Sequence, residues 1–346
     1  MAVSPAVAPS TAVSTSGDAS AGFVRIRSAS HVGRARRLVR ELTENAGLGS
    51  ELAERAALVA TELSTNLATH ASGGELHVRV REAGLELVSL DAGPGLPGAA
   101  FRDGFSTAGT GGTGLGAVKR LSDALEVETA EGGTVLVATL AVRRTGVATV
   151  VNDASDAGLV SPHPGEASSG DGFYVRREPG RVIGAVVDGL GHGELARGER
   201  ERALAVMTAL GAGRSPADHL RAVHGETTRS GGLAGSVVVI EPRREKIVFA
   251  GVGNVAGRVL YPDGESASLI TIGGILGRAP LHVKEMERPW RPGTVVVLHS
   301  DGITSRWQPK SYRWAARRAP AVLAGVLMRD YRRPRDDASI LVLRER

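Results

Sequence analysis

Several acidic residues of this chain stand where a carboxylate can do more than face water. Asp91 closes an apolar run (Leu85, Leu87, Val88, Leu90) and opens a stretch with nine glycines in the 26 residues from Asp91 to Gly116. Glycine permits positive φ and close approach of a ligand, and successive bare N–H groups form anion-binding concavities. The stretch is therefore a candidate nucleotide-phosphate site, with a flexible surface loop as the alternative. In the second half, Asp171 opens a strand-like run, Asp188 ends RVIGAVV, Asp301 ends TVVVLHS, and Asp336-Asp337 precede ASILVL. One strand-end aspartate is ordinarily a turn former. Four such positions, in a chain with no cysteine and no histidine cluster, point to a hard-cation site with oxygen ligands. Two such ions can orient a bridging water and neutralise a phosphoryl group.

These residues need elements to carry them. Residues 31–46 space their apolar side chains as a helix does, and Gly47 and Gly49 end it. A second helix follows Ser50 and stops at Ser72-Gly73-Gly74. It sets Glu62 and Asn66 four apart on one face, which alone reads as a polar stripe. Two strands, ELHVRVRE and LELVSLD, turn at Ala83-Gly84, and the second delivers Asp91. AVKRLSDAL after the glycines reads as a short helix, and EVETAEGGTVLVATLAV as a closing hairpin. The pattern restarts near residues 144–150. From there the chain is β-rich with Gly and Pro-Asp-Gly turns and a helix from about Glu194 to Leu210.

In the first half, ELSTN, DAGPG, GTGGTGLG and GGT occur in an order and spacing that resembles the GHKL, or Bergerat-fold, ATPases over about residues 25–143. A P-loop would need Lys after its glycines; Ala117-Val118 follow Gly116 instead. The resemblance implies an α/β two-layer sandwich binding ATP with Mg²⁺. Asn66 would hold the Mg²⁺, Asp91 would read the adenine amino group, and Gly93 and Gly95 would let the base approach. Gly112, Gly114, Leu115 and Gly116 would form the lid, and Thr134 would stand near the adenine. Glu62 would be the general base toward an incoming hydroxyl. No long helical pair carries a phospho-accepting His, and no transducer domain follows. DGFSTAGTGGTGLGAVKRLSD resembles the small serine-kinase branch, the stressosome switch kinase in particular, which acts on STAS-domain proteins.

In the second half, VVDGLGHG, GVGN, GGILG, HSDGI and DDAS resemble the type 2C metal-dependent protein phosphatases, nearest to the stage II sporulation E (SpoIIE) branch, over about residues 150–346. The resemblance implies an αββα sandwich with two Mn²⁺ or Mg²⁺ ions. Asp188 would bridge them with help from the Gly189 carbonyl. Asp171 would support one ion, and Asp301 and Asp336 the other, with Asp337 the lesser candidate of its pair. His192 fits the branch's Gly-His-Gly as a supporting residue. The span between the helix and GSVVVIEP is short for accessory loops.

The expected domains are a disordered tail (1–21), an ATP-binding kinase-like domain (22–143) and a phosphatase domain (144–346). At 346 residues and 42% hydrophobic the chain supports two cores. Net charge is +5, but Arg is scattered and no reading element accompanies it, which argues against nucleic acid. No apolar run reaches membrane length, and residues 1–21 lack a signal peptide's pattern, so a cytoplasmic protein is expected. The leading reading is a two-headed partner-switching regulator: kinase and phosphatase on one chain, with a STAS-type anti-sigma-factor antagonist or stressosome-like protein as partner. Two alternatives stand beside it. The first domain could be an ATP sensor that gates the phosphatase, or the chain could be a non-catalytic binder of a sigma factor.

Overall fold

The computed structural model describes residues 14–17, 20–96, 114–144, 147–148, 155–227, 231–278 and 280–345. The chain opens with β1 (Ser14–Gly17) and then builds its first unit: β2 (Ala21–Ile26), α1 (Val32–Asn45), α2 (Ser50–His70), β3 (Gly74–Arg81), β4 (Gly84–Asp91), α3 (Gly114–Leu121), β5 (Ala124–Ala130) and β6 (Gly133–Ala141). The strands form one antiparallel sheet in the order β2-β3-β4-β6-β5. The helices cover one face of it. Ala35 and Val39 of α1, with Ala56, Val59, Ala60, Leu63 and Leu67 of α2, pack on Leu76, Leu85, Leu87 and Leu140 of the sheet. Leu115 and Val118 of α3 join that core. This is the expected two-layer sandwich.

A small hairpin, β7 (Arg143–Arg144) with β8 (Val147–Ala148), leads to the second unit. It comprises β9 (Asp156–Ser161), β10 (Asp171–Glu178), β11 (Arg181–Gly189), α4 (Glu194–Ala209), α5 (Pro216–Thr227), β12 (Leu233–Glu241), β13 (Lys246–Val252), β14 (Ala256–Leu260), β15 (Ser266–Leu269), β16 (Met286–Pro289), β17 (Val295–His299), α6 (Pro320–Tyr331) and β18 (Ala338–Arg344). Two sheets, β1-β10-β11-β12-β13-β16 and β15-β14-β17-β18-β9, stack face to face. Phe173, Val186, Phe249, Val296, Leu341 and Leu343 fill the space between them. Helices α4 and α5 cover the outer face of the first sheet through Ala203, Met207, Leu220 and Val223. Helix α6 covers the outer face of the second. Among the described residues no helix is long and apolar enough to cross a membrane.

Four elements differ from the sequence expectation, helix α6 (Pro320–Tyr331) among them. Ser14–Gly17, inside the stretch read as a tail, adds an edge strand by pairing with β10, Ser14 opposite Arg177. An unpaired strand edge offers a row of backbone groups to any extended segment nearby. The helix read at AVKRLSDAL begins three residues earlier and ends at Leu121; Asp123 N–H donates to Thr139 O (2.8 Å), which turns the chain into β5. Helix α5 was not anticipated, although Ser215 and Asp218 cap each other reciprocally at its start (Ser215 N to Asp218 Oδ2, 3.1 Å; Asp218 N to Ser215 Oγ, 3.3 Å).

Helix α6 joins the two units. Its residues Pro320–Met328 are all buried. One side packs on Ile340 and Val342 of β18 and on Ala157 and Leu159 of β9. The opposite side packs on Val88, Leu90, Val135 and Val137, the face of the first sheet left bare by α1–α3. Gly325 permits this approach, because a Cβ there would come within 2.5 Å of Val135 Cγ1. The molecule is thus a stack of six layers with α6 between the sheets of its two units.

Charged groups border this apolar contact. Glu75 of β3 meets Arg25 (3.3 Å), Arg332, His77 (3.3 Å) and Ser161 Oγ (3.1 Å). Asp156 of β9 receives Arg79 (2.5 Å), Arg81 (3.1 Å) and Arg177 (3.1 Å). Burial alone would raise the Glu75 pKa; His77 and Arg332 outweigh it and hold the carboxyl at about 2. Arg79 and Arg81 likewise hold Asp156 far below the usual carboxylate range against its burial.

Two outcomes are expected. Gly325→Val should destabilise the chain by about 1–3 kcal/mol through overpacking at the α6–β6 contact, read as a lowered denaturation midpoint. Glu75 ionises near 2 when folded and at its ordinary 4.5 when unfolded. Its contribution, on the order of 3 kcal/mol, is complete above about pH 4.5 and is lost as the pH falls toward 2. Glu75→Gln should flatten the pH dependence of stability across that window, and an unchanged acid-denaturation curve would refute the assignment.

Candidate functional site

The end of the first site expected to take adenine is built by backbone closeness. Asp91 ends β4 opposite Thr134 of β6. Its Oδ1 accepts from Gly93 N (2.8 Å) and Thr134 N (3.3 Å). Burial raises its pKa; the two backbone donors and the charge of Arg329 oppose that. Gly133 has φ +125° and lies so close that a Cβ would stand 2.0 Å from Asp91 O. Gly93 fits against Ala71 at the end of α2, and Gly95, at φ +83°, against Ala130 O. Thr134 is buried, with its hydroxyl 3.2 Å from Thr129 Oγ1.

Helix α2 supplies the other wall. Glu62 and Asn66 sit one turn apart, and a Cβ built on Gly114 would lie 3.8 Å from both Glu62 Oε2 and Asn66 Oδ1. The N-terminus of α3, which begins at Gly114, therefore faces these two side chains, and a helix N-terminus favours negative charge. Among the described residues Asn66 Nδ2 is buried without a hydrogen-bond partner. An amide with an unused donor beside a helix N-terminus and a carboxylate suits a phosphate–Mg²⁺ group. Gly116 is buried, and Leu115 is only 7% exposed, packed in the core of the unit. Gly112 lies outside the described residues.

The second site is a carboxylate cluster. Asp171 and Asp188 are directly opposed in the β10–β11 register. Asp301 follows β17, and Asp336 precedes β18, the neighbouring strand. A Cβ on Gly302 would stand 1.8 Å from Asp337 O, so the two loops bearing Asp301 and Asp336 are in contact. Asp337 is buried and consumed by backbone donors: Oδ1 accepts from His163 N (2.6 Å) and Oδ2 from Gly170 N (2.8 Å). The Asp336 carboxylate, by contrast, meets the backbone N–H of Asp337. Gly189 N donates to Gly170 O (3.1 Å), and its α-carbon abuts Ala196, which leaves no room for a side chain.

Burial, then the charge of Asp188, pushes Asp171 well above the usual carboxylate range. Burial, then Asp301 and Asp336, pushes Asp188 up to about 7. Burial, then Asp301, raises Asp336. Among the described residues Asp171 Oδ2 and Asp188 Oδ2 are buried with no hydrogen-bond partner of their own, while Ser300 supports the Asp171 carboxylate. Buried carboxylate oxygens that repel one another fit divalent cations. Among the described residues no three His, Asp or Glu side chains already close into a ligand set.

Residues beyond the sequence reading complete this site. Asn254 Nδ2 donates to Asp301 Oδ2, and Ser300 Oγ bonds Ser339 N (2.9 Å). The signal for Asn254 was the GVGN motif, visible but assigned no role. His192 is exposed; its Nδ1 is 3.1 Å from Glu166 Oε1, and its ring stacks on His163 at 4.6 Å.

Comparison with known proteins agrees with this division. A histidine kinase-like ATPase domain family matches residues 27–140, and the stage II sporulation protein E (SpoIIE) family matches residues 178–346. The serine/threonine-protein kinase RsbT of Bacillus subtilis (strain 168) is 33% identical over 115 residues, 32% of this chain and 86% of that protein. The phosphoserine phosphatase RsbX of the same organism is 27% identical over 139 residues, 40% of this chain and 69% of that protein. A solved chain of the bacterial stressosome, described as a modular system adapted to control secondary messenger signaling, superposes with a TM-score of 0.51 at 26% identity. That match covers 55% of this chain and 98% of the other.

The repulsion in the cluster has a measurable consequence. Asp188, with its folded pKa raised to about 7, destabilises the metal-free protein at higher pH, where it is ionised. Asp188→Asn should therefore raise the metal-free melting temperature at about pH 8 and abolish stabilisation by Mn²⁺. A lower metal-free melting temperature would show that the cluster is not under electrostatic tension.

Proposed function

We propose that this chain, which belongs to the histidine kinase-like ATPase family in its first half and to the SpoIIE phosphatase family in its second, removes phosphate from phosphoserine or phosphothreonine of a small STAS-domain regulator and can phosphorylate such a protein from ATP. Its architecture is that of a partner-switching regulator. The observation that carries the reading is the pair of buried carboxylates, Asp171 and Asp188, opposed across β10 and β11 and flanked by Asp301 and Asp336.

Bound divalent ions would activate a water and neutralise the phosphoryl group. The chain's own residues would do the rest. Asp171, Asp188, Asp301 and Asp336, with the Gly189 carbonyl, would hold the ions. Asn254 keeps Asp301 turned toward the site, while Asp337 ties residues 163 and 170 beneath it. In the first unit Asp91 would select adenine, Asn66 would hold Mg²⁺, and Glu62 would accept the proton of the attacking hydroxyl. Glu62 stands beside the lid's end, where a hydroxyl would meet the terminal phosphate.

A second reading, in which the first unit binds ATP only to control the phosphatase, is favoured by one observation. Arg329 of α6 donates to Gly133 O (3.0 Å), immediately behind the adenine pocket.

With Mn²⁺ and a phosphorylated STAS protein, the wild-type chain should release phosphate, and Asp188→Ala should lower the rate by about 100-fold or more. Release unchanged by that substitution would sink the phosphatase assignment. Glu62→Ala should reduce transfer from radiolabelled ATP by about 100-fold while ADP still binds. If the wild-type chain binds ATP yet never labels a protein, the sensor reading replaces the kinase one.

A further inference from the structure

Helix α6 is fastened to the nucleotide-binding unit at both ends. At its start Arg318 forks across β5: Nε donates to Glu126 Oε2 (3.0 Å), Nη1 to Glu128 Oε2 and Nη2 to Val127 O (2.7 Å). Ala319 N donates to Glu126 Oε1 (2.9 Å). At its end the Arg329 side chain, 7% exposed, is held rigid by Asp330 (Nε–Oδ1 2.6 Å; Nη2–Oδ2 3.0 Å). Its remaining nitrogen reaches Gly133 O. Gly133 is the residue wedged against the Asp91 backbone, and the Arg329 charge is felt at Asp91 itself.

The chain leaving α6 is stitched to the metal centre. Thr304 N donates to Tyr331 O (2.9 Å), Arg332 bridges Ile303, and Arg333 N donates to Gly302 O (2.7 Å). Residues 302–304 directly follow Asp301, and Asp336 comes three residues after Arg333. The two acids on this segment are thus set by its position. From the adenine pocket the sequence of direct contacts is short: Asp91, Gly133, Arg329, then residues 331–333, which set Asp301 and Asp336.

We infer that Arg329 is a positioning residue of the nucleotide site supplied by the phosphatase unit, and that through it α6 couples adenine-nucleotide binding to the geometry of the carboxylate cluster. The inference rests on the two-site reading above. Burial of adenine against Asp91 fixes the Gly133-Thr134 turn. Arg329, held in one rotamer by Asp330, transmits that restraint to the end of a helix that cannot shift sideways between two sheets. The chain leaving its end contacts residues 302–304, next to Asp301, and leads on to Asp336. Coupling of this kind is reciprocal: whatever nucleotide does to the cluster, ions in the cluster do to nucleotide affinity.

The test uses the full chain and two readouts. In hydrogen–deuterium exchange without Mn²⁺, ADP should slow exchange of the Thr304 and Arg333 amides in the wild type and leave them unchanged in Arg329→Gln. In hydrolysis of p-nitrophenyl phosphate at fixed free Mn²⁺, saturating ADP should change the wild-type rate by about fivefold. In Arg329→Gln the ratio of rates with and without ADP should fall to one. Arg329→Lys, which can still donate to Gly133 O, should restore part of the response and serves if the Gln variant fails to fold. Bound ADP that alters neither exchange nor rate overturns the inference, as does a response that persists in Arg329→Gln. If the wild type hydrolyses nothing, the phosphatase reading fails and the exchange experiment still decides the coupling. If ADP does not bind, both the nucleotide reading and the inference fall.

Discussion

The burial of α6 between two sheets is the contact on which the rest of this molecule depends. A two-layer sandwich of helices on one sheet face leaves the other face, here Val88, Leu90, Val135 and Val137, to find cover elsewhere. An αββα sandwich needs a helix on each outer face. One helix meets both needs. The fully buried Val, Leu and Met side chains of α6 each contribute roughly 1.5–3 kcal/mol when removed from water. The bordering ion pairs are a different kind of term. At Glu75 and Asp156 the attraction of His77 and the surrounding arginines outweighs the cost of burying the carboxylates, as their lowered pKa values show, whereas a generic buried pair adds little net stability. Polar contacts also give registration: an apolar helix on a smooth sheet can slide, whereas the forks of Arg318 and Arg329 match only one set of acceptors.

The two sites are built by opposite strategies. The nucleotide site is shaped by absence of side chains. Gly93, Gly95 and Gly133 each occupy a place where a Cβ would collide with backbone, around a single carboxylate, Asp91. The second site concentrates charge. Asp171 and Asp188 face each other across two neighbouring strands. That arrangement stores electrostatic tension, visible in the raised pKa values, which cations can relieve. The surrounding residues keep the acids in place: Asn254 orients Asp301, and Asp337 spends both its oxygens on backbone donors.

Much of this was legible in the chain. Strand-end acids, helix spacing around Glu62 and Asn66, and glycines around Asp91 are local signals, because each depends on residues within a turn or a strand of one another. Local rules also located the β5–β6 hairpin through Glu131-Gly132-Gly133. Helix α5 was missed despite a capping pair at Ser215 and Asp218, because only Ala217, Leu220 and Val223 carried its apolar spacing. Helix α6 was harder. PAVLAGVLM is apolar on every side, so it shows no amphipathic period, and that uniformity is itself the result of burial on both faces.

The sequence by itself determined the two families of motif, their order, and the residue types at each site. These follow from backbone period, turn chemistry and the valence of carboxylates and amides, all short-range properties. The fold alone decided that Asp171 opposes Asp188, that Asp337 spends both oxygens on the His163 and Gly170 backbone, and that Arg329, 196 residues from Gly133 in the chain, donates to its carbonyl beside Asp91. Such pairings depend on strand register and on how α6 docks. Docking is set by apolar shape summed over many residues, which no short window of sequence contains.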